Sequence, residues 1–207
     1  VGPAWARWIW RSEGPDAAII DRVHRAETWD STPLGWRADV LTRGDAWNWD
    51  IAAEALSRNR TAVGLRPKSA SRWGALALTN ARVVTDFGPW PDSVSEARNA
   101  FARAVALEPH QPWYWLEWAR LERTLGDIDQ SVSLVWRAVE EEPRAVRAWL
   151  FLARVELDRG QVEEARDALE SAQTAYRLRN RSGLNAYERE LVTAPRWQFR
   201  ELQEALK

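Results

Sequence analysis

A triplet of residues recurs along this chain of 207 residues and constrains its fold more than any other feature. In each copy an alanine stands five positions before a proline, and a tryptophan stands six positions after that proline. The three copies are Ala62, Pro67 and Trp73; Ala104, Pro109 and Trp115; and Ala138, Pro143 and Trp149. The second copy lies 42 residues after the first, and the third lies 34 after the second. A period of this length predicts stacked helical units, each of which buries its apolar face against its neighbours.

The residues between the copies have the pattern of paired helices. Over 113–124 apolar side chains recur at helical spacings, and Pro112 precedes them at a first helical position, where its missing N–H costs nothing. Gly126 then predicts the end of this helix, and a second apolar stripe covers 128–141. The next unit has the same order, with Gly160 as its turn glycine.

These units resemble the tetratricopeptide-repeat family, whose members stack helix–turn–helix units of 34 residues. Aligned from Pro112 and Val146, two units carry the family's tryptophan, turn glycine and packing alanine in register. Those residues are Trp115 and Trp149, Gly126 and Gly160, and Ala138 and Ala172, with Pro143 as the terminal proline of the first unit. The chain departs from the family pattern at Glu122 and Glu156, where an aromatic residue is usual, and at Arg177, where a proline is usual.

The resemblance implies an all-α fold, a right-handed superhelical solenoid of about four such units with a C-terminal capping helix. We divide the chain into a Trp- and Arg-rich N-terminal segment, a repeat domain and a C-terminal capping segment. Their bounds are 1–15, 16–178 and 179–207, and the best repeats are 112–145 and 146–178.

Several segments depart from the regular unit. The turn over 85–92 is predicted to hold eight extra residues and the turn over 44–50 about three. A lone helix is expected over 16–28 and a turn over 180–185. Beyond Pro195, an amphipathic capping helix is marked by Phe199, Leu202 and Leu206.

Composition and charge exclude several classes of function. A net charge of −1 argues against a general nucleic-acid binder, because phosphate contacts require clustered positive charge. The absence of cysteine excludes thiolate metal sites and cysteine nucleophiles. The two histidines, His24 and His110, are far apart, and the sequence contains no catalytic or nucleotide-binding motif. We therefore expect no enzyme activity, no metal and no cofactor.

In the resembled family the first helices of the units line a concave groove that commonly binds peptides. The resemblance therefore implies which side chains of this chain would face a bound peptide. In two adjacent units these groove positions are Trp113, Leu116, Arg120 and Arg123, followed by Arg147, Leu150, Arg154 and Leu157. Arg82 adjoins the row in the preceding unit. Guanidinium groups bind carboxylates through paired hydrogen bonds, which favours an acidic protein or peptide partner. Alternatively, the arginines pair with Glu117, Glu122 and Glu156 on neighbouring turns.

Fifteen tryptophans are more than the repeat position explains. Trp118 and Trp136 lie on or beside apolar stripes and are predicted to be core residues. Trp47, Trp49 and Trp90 fall in the enlarged turns, where inserted residues often form a binding edge; alternatively, they pack inside.

The N-terminal segment carries its own aromatic group. Trp5, Trp8 and Trp10 stand beside arginines, which favours a partner hot spot or proximity to a membrane–water interface. Alternatively, these tryptophans cover the first repeat.

Together these features favour a non-catalytic protein–protein interaction scaffold, bound through the arginine groove, the tryptophan edge or both, within a larger bacterial assembly. Because the chain begins at Val1 and contains no methionine, we expect it to belong to a longer protein. One alternative is therefore the extracytoplasmic tail of a membrane protein such as a polysaccharide polymerase or O-antigen ligase. This slightly favours a periplasmic, membrane-associated location over a cytoplasmic one. An enzyme that uses carboxylates in the groove is the least favoured alternative.

Overall fold

A computed structural model describes residues 47–178 and 186–207 of the chain. Within these two ranges the helices are α1 (Trp49–Leu65), α2 (Ala70–Phe87), α3 (Pro91–Leu107), α4 (Pro112–Thr124), α5 (Ile128–Glu141), α6 (Val146–Asp158), α7 (Val162–Leu178), α8 (Ala186–Leu191) and α9 (Arg196–Ala205). The described ranges contain no strand, in agreement with the predicted all-α class. The predicted helix over 16–28, the tryptophans of segment 1–15 and the predicted turn over 180–185 lie outside the described residues.

The chain forms two compact units, Val1–Glu108 and Pro109–Lys207. In the described part of the first unit, α2 packs against both α1 and α3. Alanines allow the helix axes to approach closely, and Phe101 is among the largest fully buried side chains of the described residues. Buried side chains of this core are Ala55, Ala62, Ala77, Val83, Phe101 and Ala104.

The second unit contains two helical hairpins and a cap. Helix α4 packs against α5, α5 against α6 and α6 against α7, and α9 then contacts both α6 and α7. Leu202 and Leu206 are buried at this end, and Phe199 packs against the same core. These contacts confirm the predicted capping helix beyond Pro195, which covers an apolar face that the last repeat would otherwise expose.

The ends of the hairpin helices follow from local sequence. Pro112 is the first residue of α4, as predicted. Gly126 and Gly160 adopt φ angles of 83° and 74°, a left-handed conformation that favours glycine and ends a helix. The Asp127 side chain then caps α5 by accepting a hydrogen bond from the backbone N–H of Gln130 at 3.1 Å.

The recurring triplet has a direct physical explanation. In all three copies the tryptophan indole N–H donates to the carbonyl of the proline six residues earlier, at 2.8 Å each time. The alanine of each copy is fully buried, and its carbonyl accepts the backbone N–H that caps the preceding helix. Each triplet therefore joins the end of one helix to the start of the next, which explains why its three members keep a fixed spacing.

The extra residues of the first unit lengthen its helices, which corrects the prediction of a large turn over 85–92. Helix α2 has 18 residues and α3 has 17, against 13 and 14 in α4 and α5. Residues 85–87 are helical, so only 88–90 connect α2 to α3. Trp49 likewise begins α1 rather than lying in a turn, and Asn48 caps that helix by accepting from the Ile51 amide.

The two surplus tryptophans of the second unit differ in their burial. Trp118 is half-buried against the core and stacks on Trp115, with ring centroids 6.3 Å apart. Trp136 is 45% exposed. Its ring makes an edge contact with the repeat tryptophan Trp149. The prediction that Trp136 is a core residue is therefore wrong, because its position on α5 lies beside the apolar stripe and faces solvent.

Candidate binding groove and aromatic cluster

Five of the predicted groove residues line one cavity in the second unit. They are Arg120 and Arg123 of α4, and Arg147, Leu150 and Arg154 of α6. The cavity has a volume of about 330 Å³ and opens to solvent. The remaining side chains around it are Phe151 of α6 and Trp197, Gln198, Glu201 and Leu202 of α9. The first helices of both repeats and the capping helix thus form its walls.

Two other predicted groove residues pack inside the unit. Leu116 is fully buried in a cluster that includes Ala148 and Leu191. Trp113 is half-buried against the same cluster. The side chain of Leu191, which comes from α8 far along the chain, thus shares the cluster that surrounds a position expected to face a partner.

Each groove arginine is paired with a carboxylate. Arg120 pairs with Glu117 at 2.8 Å and Arg123 with Asp158 at 2.6 Å. Arg147 pairs with Glu190 at 2.6 Å, and Arg154 pairs with Glu201. The first pair is one that the alternative interpretation predicts, whereas the other three involve carboxylates that the sequence analysis did not single out.

The electrostatics beside the groove are uneven because Glu117, the carboxylate that pairs with Arg120, is largely buried. Burial raises the pKa of the Glu117 carboxyl, and the negative charge of Glu190 raises it further, while Arg120 and Arg147 lower it. The guanidinium groups of Arg120 and Arg123 also lie 5.8 and 5.9 Å from the Phe151 ring, within the range of a cation–π contact.

The carboxylates at the family's aromatic position are structural. Glu122 and Glu156 are 1% and 4% exposed. The indole N–H of Trp118 donates to Glu122 at 2.7 Å, and Arg159 donates to Glu156 at 3.0 Å. The donors in these two hydrogen bonds are Trp118 and Arg159, not the groove arginines. At this position of the unit, a hydrogen-bonded carboxylate replaces the aromatic ring of the family pattern.

The predicted edge tryptophans meet in an aromatic cluster in the first unit, which we define as Trp47, Trp49, Phe87 and Trp90. The Trp49 ring centroid lies 5.5 Å from that of Phe87 and 6.3 Å from that of Trp90. Trp49 and Trp90 are 51% and 57% exposed. Phe87 was not expected in this cluster because the segment 85–92 was predicted to be a turn. The segment is instead helical as far as Phe87, which is the last residue of α2.

Arg82 belongs to this aromatic cluster. Its guanidinium carbon lies 4.3 Å from the Trp47 ring centroid, and its Nε donates to Asp86 at 3.1 Å. The structure therefore places Arg82 on an aromatic face within the first unit.

Comparison with known proteins shows which family part of the chain resembles. A family model described as Tetratricopeptide repeat matches residues 116–180. Residues 116–180 therefore contain tetratricopeptide-repeat sequence. The matched range contains the second helical hairpin and most of the first, which is where the period was clearest. No curated protein matches the sequence.

Solved structures share the helical-repeat fold of this chain. The crystal structure of MamA matches with a TM-score of 0.69 and 16% identity, and covers 84% of this chain and 96% of that one. TTC0263, a thermophilic TPR protein of Thermus thermophilus, matches with a TM-score of 0.64 and 16% identity over 98% of this chain and 95% of that one. YrrB, described as a TPR protein with an unusual peptide-binding site, has a TM-score of 0.63, 14% identity and 84% coverage of each chain. At these identities the likeness establishes the helical-repeat fold alone.

Among the described residues, no group of three or more His, Asp or Glu side chains is arranged to hold a metal ion. No helix in the same part of the chain combines the length and apolar character that crossing a membrane requires.

Proposed function

We propose that this chain is a non-catalytic protein-interaction scaffold whose second unit binds an acidic segment of a partner protein. The observation that carries the proposal is the convergence of four arginines, two from each of two successive first helices, on one cavity of about 330 Å³. A planar guanidinium group matches a carboxylate in geometry as well as charge. The description of YrrB as peptide-binding supports a peptide as the class of partner.

The existing ion pairs leave the arginines able to bind a partner. Their side chains are between 29% and 38% exposed, so water reaches every guanidinium group. The three pairs with the more exposed carboxylates Asp158, Glu190 and Glu201 contribute only about 0–1 kcal/mol each. A guanidinium group has five N–H donors, whereas one carboxylate accepts two of them at most in a paired geometry. An incoming carboxylate can therefore share or replace the internal one at small cost.

The test uses the full chain and a fluorescent acidic peptide, with binding measured by anisotropy. In the variant Arg120→Gln/Arg154→Gln both repeats lose a groove charge, so we expect at least a tenfold loss of affinity, since hydrogen bonds to charged groups contribute about 1.5–3 kcal/mol each. The matched control is Arg103→Gln/Arg137→Gln, which removes the same charge from exposed helix faces outside the groove. Equal affinities in the two double variants would refute the groove.

The finer expectations, a subunit role in a larger assembly and proximity to a membrane, stay predictions. They concern surfaces and segments other than this groove, and the arginine variants do not test them.

A further inference from the structure

One short segment of the chain is already seated against the groove. The Arg147 guanidinium contacts Glu190 at 2.6 Å and donates from Nε to the Thr193 carbonyl at 3.2 Å. Between these two residues, Leu191 is 2% exposed and packs in the cluster that contains Leu116 and Ala148. A carboxylate on an arginine, an aliphatic side chain in an apolar site and a main-chain carbonyl on the same arginine are the contacts that a bound peptide would make.

The capping helix extends this occupation along the cavity. Glu201 of α9 pairs with Arg154, and Trp197 and Gln198 stand on the same wall. Two groove arginines are therefore neutralised by the C-terminal segment. The other two arginines are neutralised by carboxylates of the repeats themselves, Glu117 and Asp158.

We propose that residues 190–193 act as an internal occupant of the groove, and that the partner which displaces them presents an acidic residue followed directly by a leucine. This rests on the proposed function, and it names both the chemistry of the partner segment and what the partner must compete with. A tethered occupant is present at millimolar effective concentration, so an external peptide binds in proportion to the fraction of molecules in which the site is open.

The two ends of the C-terminal segment are anchored differently. Helix α8 has six residues, and the Glu190 side chain is 43% exposed, so its ion pair is reached by water. Helix α9 is fixed by Leu202 and Leu206 in the core. Release of residues 190–193 exposes the buried side chain of Val192 and removes Leu191 from its apolar cluster. A partner therefore has to place an aliphatic side chain of its own in that cluster to restore the apolar contact.

The experiment adds a labelled peptide with the sequence of residues 186–194, AYERELVTA, to the full chain and measures anisotropy. Wild type should bind it weakly. Glu190→Gln loosens the internal segment without changing its shape, so affinity should rise by up to about fivefold, the value of one exposed ion pair. Glu204→Gln, an exposed glutamate of α9, is the matched control and should leave the affinity unchanged.

Three further measurements make the outcome decisive. Arg147→Gln should weaken binding of the peptide in both backgrounds, because it removes both the ion pair and the hydrogen bond to the main-chain carbonyl. A peptide with Gln in place of Glu190 should bind more weakly than the native sequence. Leu191→Ala should raise the affinity further, with circular dichroism to confirm that the repeats remain folded. Equal affinity of wild type and Glu190→Gln, or binding that does not depend on Arg147, would overturn internal occupation. The comparison of Arg120→Gln/Arg154→Gln with Arg103→Gln/Arg137→Gln would still test whether the groove binds an acidic peptide.

Discussion

The hydrogen bond between the repeat tryptophan and the preceding proline carbonyl can be tested with one substitution, Trp149→Phe. Phenylalanine keeps an aromatic ring at the start of α6 but cannot donate to the Pro143 carbonyl, which the indole N–H reaches at 2.8 Å. Trp149 also packs against both apolar clusters of the second unit and makes an edge contact with Trp136 at 5.7 Å.

The expected loss of stability can be worked out from these contacts. A hydrogen bond of this kind contributes about 1 kcal/mol net, and an aromatic pair about 0.5–1.5 kcal/mol, of which a smaller ring keeps part. Reduced apolar burial in the half-buried site adds several tenths of a kcal/mol. We expect Trp149→Phe to lower the free energy of unfolding by about 2 kcal/mol.

The measurement is urea denaturation followed by far-ultraviolet circular dichroism, which reports the loss of helix. The matched control is Trp136→Phe, the same chemical change in the other ring of the same aromatic pair, at a site that is 45% exposed. It should cost less than about 0.5 kcal/mol. If Trp149→Phe loses no more stability than this control, the N–H to proline carbonyl bond does not explain the triplet.

Three further outcomes are expected from the same denaturation assay. Trp90→Ala should change the free energy of unfolding by less than about 1 kcal/mol, because the ring is 57% exposed; a loss above about 2 kcal/mol would make Trp90 a core residue. Glu117→Gln should be stabilising relative to wild type by an amount that grows as pH rises above 4.5, the ordinary value of the glutamate pKa, because burial raises the pKa of Glu117 and the folded chain holds its proton more tightly than the unfolded chain. Glu96→Gln should have the opposite dependence: burial raises the pKa of Glu96, but hydrogen bonds from Arg60 and Asn80 and the charge of Arg60 outweigh this and lower it. The Glu96 contribution is therefore complete above pH 4.5 and disappears as pH falls through the folded pKa; parallel pH profiles for these two variants would contradict both arguments.

The helices of the second unit were predictable because local signals mark both ends of each one. Pro112 begins α4, Gly126 allows the left-handed turn that ends it, and the fixed spacing of Pro143 and Trp149 sets the start of the next unit. Each of these residues acts on its immediate neighbours, and a sequence displays such interactions directly.

The lengths of the helices in the first unit could not be predicted in the same way. A longer spacing between two markers does not say whether the extra residues form a loop or extra helical turns. The helices of this unit are longer, which moves Arg82 beside Trp47 and brings Phe87 into the aromatic cluster. The packing of α2 against its neighbours decides this, and no single residue in the segment reveals it.

The arginine row of the groove was predictable from the family resemblance together with the period, but its partners were not. Glu190 lies 43 residues from Arg147 and Glu201 lies 47 from Arg154. Pairing over that distance depends on how the C-terminal segment returns to α6, and neither glutamate occupies a repeated position. The buried Glu122 and Glu156 did carry a signal, because a polar residue stands at the same position in successive units.

The ion pairs also determine how a partner would respond to salt. The four groove arginines face four carboxylates, Glu117, Asp158, Glu190 and Glu201, so the groove with its surroundings carries little net charge. A bare cluster of four arginines would attract an acidic peptide over a Debye length of about 10 Å, and its affinity would fall steeply with added salt. Here an incoming carboxylate exchanges with an internal one, and most of the charge interaction is retained rather than gained.

We therefore expect the affinity of an acidic peptide to fall less than about threefold between about 0.05 and 0.3 M salt, on the order expected when short-range geometry dominates. Glu190→Gln should steepen this dependence because it leaves Arg147 without its carboxylate, and anisotropy titrations of both proteins at the two salt concentrations measure the difference. A steep dependence in wild type would mean that the arginines act as an open basic patch, contrary to the exchange that the ion pairs imply.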